Sequence, residues 1–373
     1  MNYEAFKENI VKDIVGRLPE KFADAEVHIE PVLKNNDTVL DGLTIRTEDS
    51  NVAPTIYLNQ FFEDFENGRD YGNILEHIAA IRMENDVEQT FDTSRIMDFE
   101  QVKDKITCRL VNAEENEQVL ADKPHKLVDD LAVTYQVQLS QGEEGTATVA
   151  IHDGLMKAYG VDAEELHQTA LNNMENISPM SFESMTNIMQ EMMIPDLMRR
   201  FDMDRETAEA AVREMLPPDD GRLFVLTNQD KLYGAAEILR PKVQEMIADQ
   251  VGGDYFILPS SVHEILVVPH DPSVDMDVAE LENMVREVNA DQVAKEEQLS
   301  DTVYAYDAQA KELIRADQLE GRIALREAKQ EKAEVKEEKP SLKERLAEKK
   351  AAASEMNKNL TKSADKHRDV ALA

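Results

Sequence analysis

The segment Pro259-Ser260-Ser261-Val262-His263-Glu264 sets an imidazole beside a carboxylate, and His270-Asp271 follows seven residues after His263. The run Ile265-Leu266-Val267-Val268 between them is apolar enough for a buried strand. Imidazole and carboxylate groups at strand ends could converge on a metal or form an acid–base pair. The spacing argues against it. Adjacent residues of an extended segment point to opposite faces, and the His-Glu-x-x-His spacing of helical metalloproteases is absent. His270 follows Pro269 and is expected in a loop. A structural histidine, with Ser260 and Ser261 capping a turn, is the preferred reading. A metal-dependent or acid–base hydrolase centred on His263, Glu264 and His270 is the alternative.

Other candidates are weaker. Gly68-Arg69-Asp70-Tyr71-Gly72 follows a helical stretch and lacks the Lys-Ser/Thr of a phosphate loop, so it reads as a helix–helix turn. Gly142-Glu143-Glu144-Gly145 reads as a hairpin turn whose acids would repel phosphate. Cys108, the single cysteine, lies in the alternating stretch Ile106-Thr107-Cys108-Arg109-Leu110 and is expected to be a small, half-buried strand residue. Eight methionines between Met174 and Met203 form an unusual band, with Met185, Ile188, Met189 and Met192 on one helical face. Core packing is the preferred reading and a groove for a partner helix the alternative; Pro179 and Pro195 bracket the segment. No motif calls for a cofactor or a metal, and no catalytic residue is assigned.

The elements that must position these groups indicate an α+β fold. Tyr3, Phe6, Ile10, Ile14 and Leu18 mark an amphipathic helix. Val27–Ile29 and Val39–Ile45 form a hairpin across Lys34-Asn35-Asn36-Asp37, and 55–58 supplies a further strand. Helices follow around Phe61 and Ile74. Strands are expected at 106–111, 132–139 and 146–151, and helix throughout 153–216. After the Pro217-Pro218 loop come strands at 223–226, 255–258, 265–268 and near 303–306, with helices over 234–250 and 277–289. Because strands and helices do not alternate regularly, mixed or antiparallel sheets with packed helices are expected. Residues 1–315 form the body, which could divide near 150 or 217. Residues 316–373, rich in Ala, Glu, Lys and Arg, form a mobile, partly helical tail. It carries a stripe of Lys329, Lys332, Lys336 and Lys339, and a capping box at Ser341-Leu342-Lys343-Glu344.

The chain of 373 residues carries 41 basic and 76 acidic side chains, a net charge of −35. The charge is unevenly placed. Residues 316–373 hold 14 bases and 12 acids, which leaves the body 27 bases, 64 acids and a net charge of −37. Such a field repels phosphate backbones and favours basic partners. A protein partner with a basic surface is therefore expected, with no direct nucleic-acid binding by the body. Met1-Asn2-Tyr3-Glu4 has an acid where a signal peptide needs a base, and no apolar run approaches the roughly 18 residues of a membrane span. The expectation is a cytoplasmic protein that does not engage a membrane.

Three stretches carry a family resemblance: Leu223 to Leu239 with its Leu-Thr-Asn and Tyr-Gly-Ala-Ala segments, Tyr255 to Pro269, and Leu299 to Asp307. Together with Ile56-Tyr57-Leu58-Asn59-Gln60-Phe61-Phe62 they resemble an uncharacterised domain-of-unknown-function family of gut Clostridia and related Firmicutes, whose members sit near integrative and conjugative elements. The resemblance covers residues 1–315. It implies no activity and no catalytic residues, but one shared structural unit, with Thr227, Asn228, Tyr233, Ser260, Ser261, His263 and Glu264 as its first candidates for binding. The function it implies is that of an accessory protein of a mobile element acting by protein–protein contact.

Overall fold

The computed structural model describes residues 1–48, 50, 53–86, 93–142, 145–274, 276–337 and 350. The fold is α+β, in two compact units, Met1–Ala316 and Asp317–Ala373. Among the described residues the first unit holds three antiparallel sheets. The first sheet contains β1 (Glu26–Leu33), β2 (Val39–Arg46) and β3 (Thr55–Tyr57), in that order. In the second, β4 (Ile106–Asn112) pairs with one edge of the long β6 (Leu131–Gly142). The other edge of β6 takes β5 (His125–Val128) and then β7 (Gly145–Ala150). The third contains β8 (Met180–Ser184), β9 (Phe224–Asn228), β10 (Tyr255–Leu258), β11 (Ile265–Pro269), β12 (Tyr304–Asp307) and β13 (Glu312–Arg315), in the order β13-β12-β10-β11-β9-β8.

Each sheet buries one face for a reason visible in its residues. Phe6 and Ile10 of helix Tyr3–Asp13 stand one turn apart and pack with Leu43, Ile45, Leu58, Ile74 and Ile78 over the first sheet. In β4 and β6 the alternation is strict. Ile106, Cys108 and Leu110 join Leu131, Val133, Tyr135 and Val137 in a core shared with helix Ala163–Ile177 and with Leu226, Ile257 and Ile265 of the third sheet. Thr107, Arg109, Thr134 and Gln136 consequently share the opposite face, where Thr107 stands directly across from Gln136 and Arg109 across from Thr134.

The three sheets are tied together by polar side chains. Asn36, in the β1–β2 turn with φ 56°, is buried and exchanges two hydrogen bonds with buried Asn116: its backbone N–H donates to Asn116 Oδ1 and Asn116 Nδ2 donates to Asn36 Oδ1, both at 2.8 Å. Asn36 Nδ2 also donates to the carbonyls of Lys295 (2.6 Å) and Gln298 (2.8 Å). Asp37 beside it accepts from the N–H groups of Gln118 and Val119. Asp130, in the β5–β6 turn, accepts from Ser300 Oγ, Thr302 Oγ1 and the Tyr304 hydroxyl, which bonds the second sheet to the third.

Several expectations are revised. The stretch 153–216 is not wholly helical. It includes β8, which is paired with β9 from Met180↔Asn228 to Ser184↔Phe224. Helix Met185–Phe201 contains Pro195, and none of its residues is buried. Met192 is 70% exposed and Met189 42%, so the methionine face is not core; the helix packs on helix Arg205–Met215 beyond the edge strand β8. The helix expected over 234–250 is a 3₁₀ turn at Gly234–Leu239 followed by an α-helix, Pro241–Val251, with proline at its first position where no N–H is needed. β5 and β13 add strands that the alternation did not single out. In the second unit, helix Leu319–Glu337 contains Lys329, Lys332 and Lys336. Glu143, Glu144, Lys339 and the capping box at 341–344 lie outside the described residues.

Replacing Asn36 with alanine keeps the backbone N–H bond to Asn116 but removes the acceptor of Asn116 Nδ2 and the donor to two carbonyls, and leaves alanine at positive φ. The variant is expected to lose about 2–4 kcal/mol of stability, read as a lower urea midpoint; an unchanged midpoint would contradict the tie.

Candidate functional site

The sequence-singled residues gather around the loop that follows β9. Thr227 Oγ1 donates to the His263 carbonyl at 2.8 Å. Asn228 holds the loop by its own amide: Oδ1 accepts from Leu232 N–H at 3.1 Å and Nδ2 donates to the Leu232 carbonyl at 2.9 Å. Two residues here have positive φ, Lys231 at 53° and Tyr233 at 56°. A bulky side chain in that region is strained, and such strain persists where surrounding structure imposes it. The next residue must be glycine. A Cβ at 234 would sit 2.4 Å from Thr227 Oγ1, 2.6 Å from Asn228 N and 2.8 Å from the His263 carbonyl.

His263 faces this loop. The Tyr233 N–H donates to His263 Nδ1 at 3.1 Å, which places the ring proton on Nε2, 3.6 Å from the Glu297 carboxylate. Ser261 Oγ accepts from the His263 N–H at 3.1 Å, a turn contact of the kind expected. Ser260 is buried and its carbonyl accepts from Leu299 N–H. Glu264 is exposed, and His270 lies past the far end of β11, its ring edge-on to Phe256 at 5.6 Å. His263, Glu264 and His270 therefore do not converge. Among the described residues no group of three or more His, Cys, Asp or Glu is placed to hold a metal.

Tyr233 and His263 instead line a cavity of about 290 Å3 where the β1–β2 turn, the second sheet and the 3₁₀ turn Lys295–Glu297 meet. Its other polar walls are Lys34, Arg109, Lys123, Gln136, Glu296 and Glu297. Arg109 dominates it. The guanidinium lies 3.6 Å over the Tyr233 ring, and Nη2 donates to Thr148 Oγ1 at 2.9 Å. Nε is sealed from solvent without a partner, and no carboxylate pairs with Arg109 among the described residues. Burial pulls the Arg109 guanidinium below its ordinary range, and burial with the Arg109 charge nearby does the same to Lys123, against the opposing pull of Asp122 and Asp37. Lys34 is held by the Tyr57 hydroxyl at 3.1 Å and lies over its ring.

A second, smaller cavity of about 40 Å3 lies behind Tyr233; Tyr233 and Gln136 line both. Glu237, fully buried, borders it. One carboxylate oxygen accepts from Arg240 Nη1 at 2.7 Å, Arg240 Nη2 reaches Glu175 at 2.9 Å, and burial pushes the Glu237 carboxyl above its ordinary range against the pull of Arg240. Cys108 borders the same cavity from the core side. Burial pushes its thiol up to about 12, so it stays protonated and inert.

The fold and site thus define an α+β protein with a polar cavity walled by an arginine that has no carboxylate partner among the described residues. The chain matches, over residues 3–308, a family of unknown function (DUF5688), and belongs to it. No curated protein and no solved structure is detectably similar to the chain. Among the described residues, no helix is long and apolar enough to cross a membrane.

Of the residues singled out, Tyr233 and His263 line the larger cavity and Asn228 the smaller, while Ser260, Ser261, Glu264 and His270 line neither. Lys34, Arg109, Lys123, Gln136 and Glu237 were not anticipated. The available signal was the polar half of the β4 and β6 alternation, which reads by default as a solvent face.

Two outcomes are expected. Gly234→Ala drives a methyl group into three fixed atoms and should cost about 1–3 kcal/mol, read by chemical denaturation; retention of full stability would refute the close approach. The Cys108 thiol should resist Ellman's reagent in the native protein at mildly alkaline pH and react once in guanidinium. With its folded value raised from 9.0 to about 12, its share of stability is intact below pH 9 and fades as pH climbs toward 12. Rapid native labelling would contradict its burial.

Proposed function

We propose that the protein is a non-enzymatic receptor for a small anionic ligand held in the Arg109 cavity. The observation that carries this is a guanidinium stacked on Tyr233 that has no carboxylate partner among the described residues and lines the cavity with Lys34 and Lys123. Arginine cannot shed its proton to escape burial, and an uncompensated buried charge costs several kcal/mol. A carboxylate or phosphate group would recover that cost through charge-assisted hydrogen bonds. His263 Nε2–H adds a donor on the same wall, and Tyr233 fixes the guanidinium plane from behind.

The body's charge supports a second, compatible role outside the cavity: an accessory protein of a mobile element, in the cytoplasm, whose acidic exterior meets a basic protein partner rather than nucleic acid. Salt-sensitive binding to a basic DNA-binding protein, competed by duplex DNA, is its signature. Binding that ignores salt would remove the electrostatic basis.

The cavity reading is tested by Arg109→Met, scanned with and without inorganic phosphate or a simple carboxylate. Replacing an unpaired charge by an apolar side chain of similar volume should raise the melting temperature of the unliganded protein. The anion should raise it for the native chain and not for the variant. An anion-induced shift that survives in Arg109→Met, or is missing from the native chain, would overturn the reading.

A further inference from the structure

Four residues that line the cavity behind Tyr233 each carry an oxygen that the anion reading leaves unused. Thr107 Oγ1, Gln136 Oε1, Ser178 Oγ and Glu237 Oε1 are each sealed from solvent with no hydrogen-bond partner, and all four residues line that one cavity. Three of them belong to side chains more than nine-tenths buried: Thr107 is 7% exposed, Gln136 6% and Glu237 0%. Buried polar atoms are nearly always satisfied, so four orphans on residues around one space indicate a missing donor. Gln136 Oε1 and a carboxylate oxygen can only accept, while the two hydroxyls can also accept. Arg240 bonds both Glu175 and one oxygen of Glu237, which leaves the other Glu237 oxygen outside the ion pair. A cavity of about 40 Å3 exceeds the roughly 10–15 Å3 that one water-sized group needs.

The two cavities differ in chemistry and share a wall. In front, Arg109, Lys34, Lys123 and His263 offer donors beside the Glu296 and Glu297 carboxylates; behind, the wall residues carry unpartnered acceptors. Gln136 and Tyr233 border both. The strand register sets their separation: the Arg109/Thr134 pair and the Thr107/Gln136 pair are neighbours on one sheet face, two residues apart along β4, or about 7 Å. Resting on the anion reading above, we propose that the ligand is a small zwitterion. Its carboxylate or phosphate sits at Arg109, and a primary ammonium group, a few bonds away, passes Tyr233 into the acceptor-lined chamber. An ammonium has the size of a water molecule and brings three donors to the unpartnered oxygens. The αL conformation of Tyr233, imposed by the Asn228 amide and by its bond to His263, keeps the aromatic ring between the two chambers.

The test is calorimetric titration of the full chain with 5-aminopentanoate, pentanoate and pentylamine. The native protein should bind 5-aminopentanoate about tenfold or more tighter than pentanoate, as expected for a charged hydrogen bond. Glu237→Gln should reduce 5-aminopentanoate to the level of pentanoate and leave pentanoate unchanged, whereas Arg109→Met should abolish both. If Glu237→Gln does not fold, Gln136→Leu, which breaks no ion pair, should show the same selective loss. Equal affinities for 5-aminopentanoate and pentanoate, each dependent on Arg109, would overturn the zwitterion while the anion site stands. Binding of neither acid would overturn both. Pentylamine binding that ignores Arg109 would overturn the shared ligand.

Discussion

Everything around the cavity depends on one reciprocal amide contact, between Asn36 and Asn116. The β1–β2 turn has no apolar residue to anchor it against the second sheet, so its position rests on hydrogen bonds. Asn36 makes them to Asn116 on one side and to the Lys295 and Gln298 carbonyls on the other. Its positive φ aims the amide inward, a conformation asparagine tolerates better than most residues. Inside a folded chain such bonds are stronger than in water, and a partly satisfied network is costly, so the arrangement behaves as a unit. Lys34 reaches the cavity because Asn36 is fixed two residues later. Glu296 and Glu297 reach it because their flanking carbonyls are held by the same side chain.

The cavity in turn explains an otherwise uneconomical choice. With 64 acids in the body, a carboxylate partner for Arg109 could easily have been placed, yet the guanidinium stacks on an aromatic ring and bonds a threonine. Stacking gives Arg109 attraction without neutralising it, and it fixes the plane of the fork. Binding sites are built on such unsatisfied groups at a cost in stability. The strained Tyr233 and the obligatory Gly234 belong to the same pattern: they hold the ring against the guanidinium at a place where ordinary backbone geometry would carry it away.

How far the sequence reaches into this account depends on the range of the interaction. The α+β class, the β1–β2 hairpin and the strands around Cys108, Tyr135 and Ile265 follow from local periodicity and were legible. β8 was not, because Met180-Ser181-Phe182-Glu183-Ser184 is short, lies between two helices and earns its pairing only from β9. The exposure of the methionine face is not legible, because apolar spacing reports a face without reporting what covers it. Tyr233 and His263 were picked out by their segments, but their partner Arg109 was hidden in the polar half of a strand. Whether that half meets solvent or a cavity is decided by Asn36 and the Lys295–Gln298 turn, some 260 residues apart in the chain, and no local pattern encodes that meeting.

The central claim is that Arg109 is an anion receptor rather than a buried structural cation. A crystal structure of the protein soaked in selenate, with anomalous data at the selenium edge, tests it most directly. An anomalous peak is expected inside the cavity, within hydrogen-bonding distance of the Arg109 guanidinium and beside Lys123. A cavity holding only ordered water, with selenate confined to surface lysines or Arg109 turned to pair with Glu296 or Glu297, would contradict it.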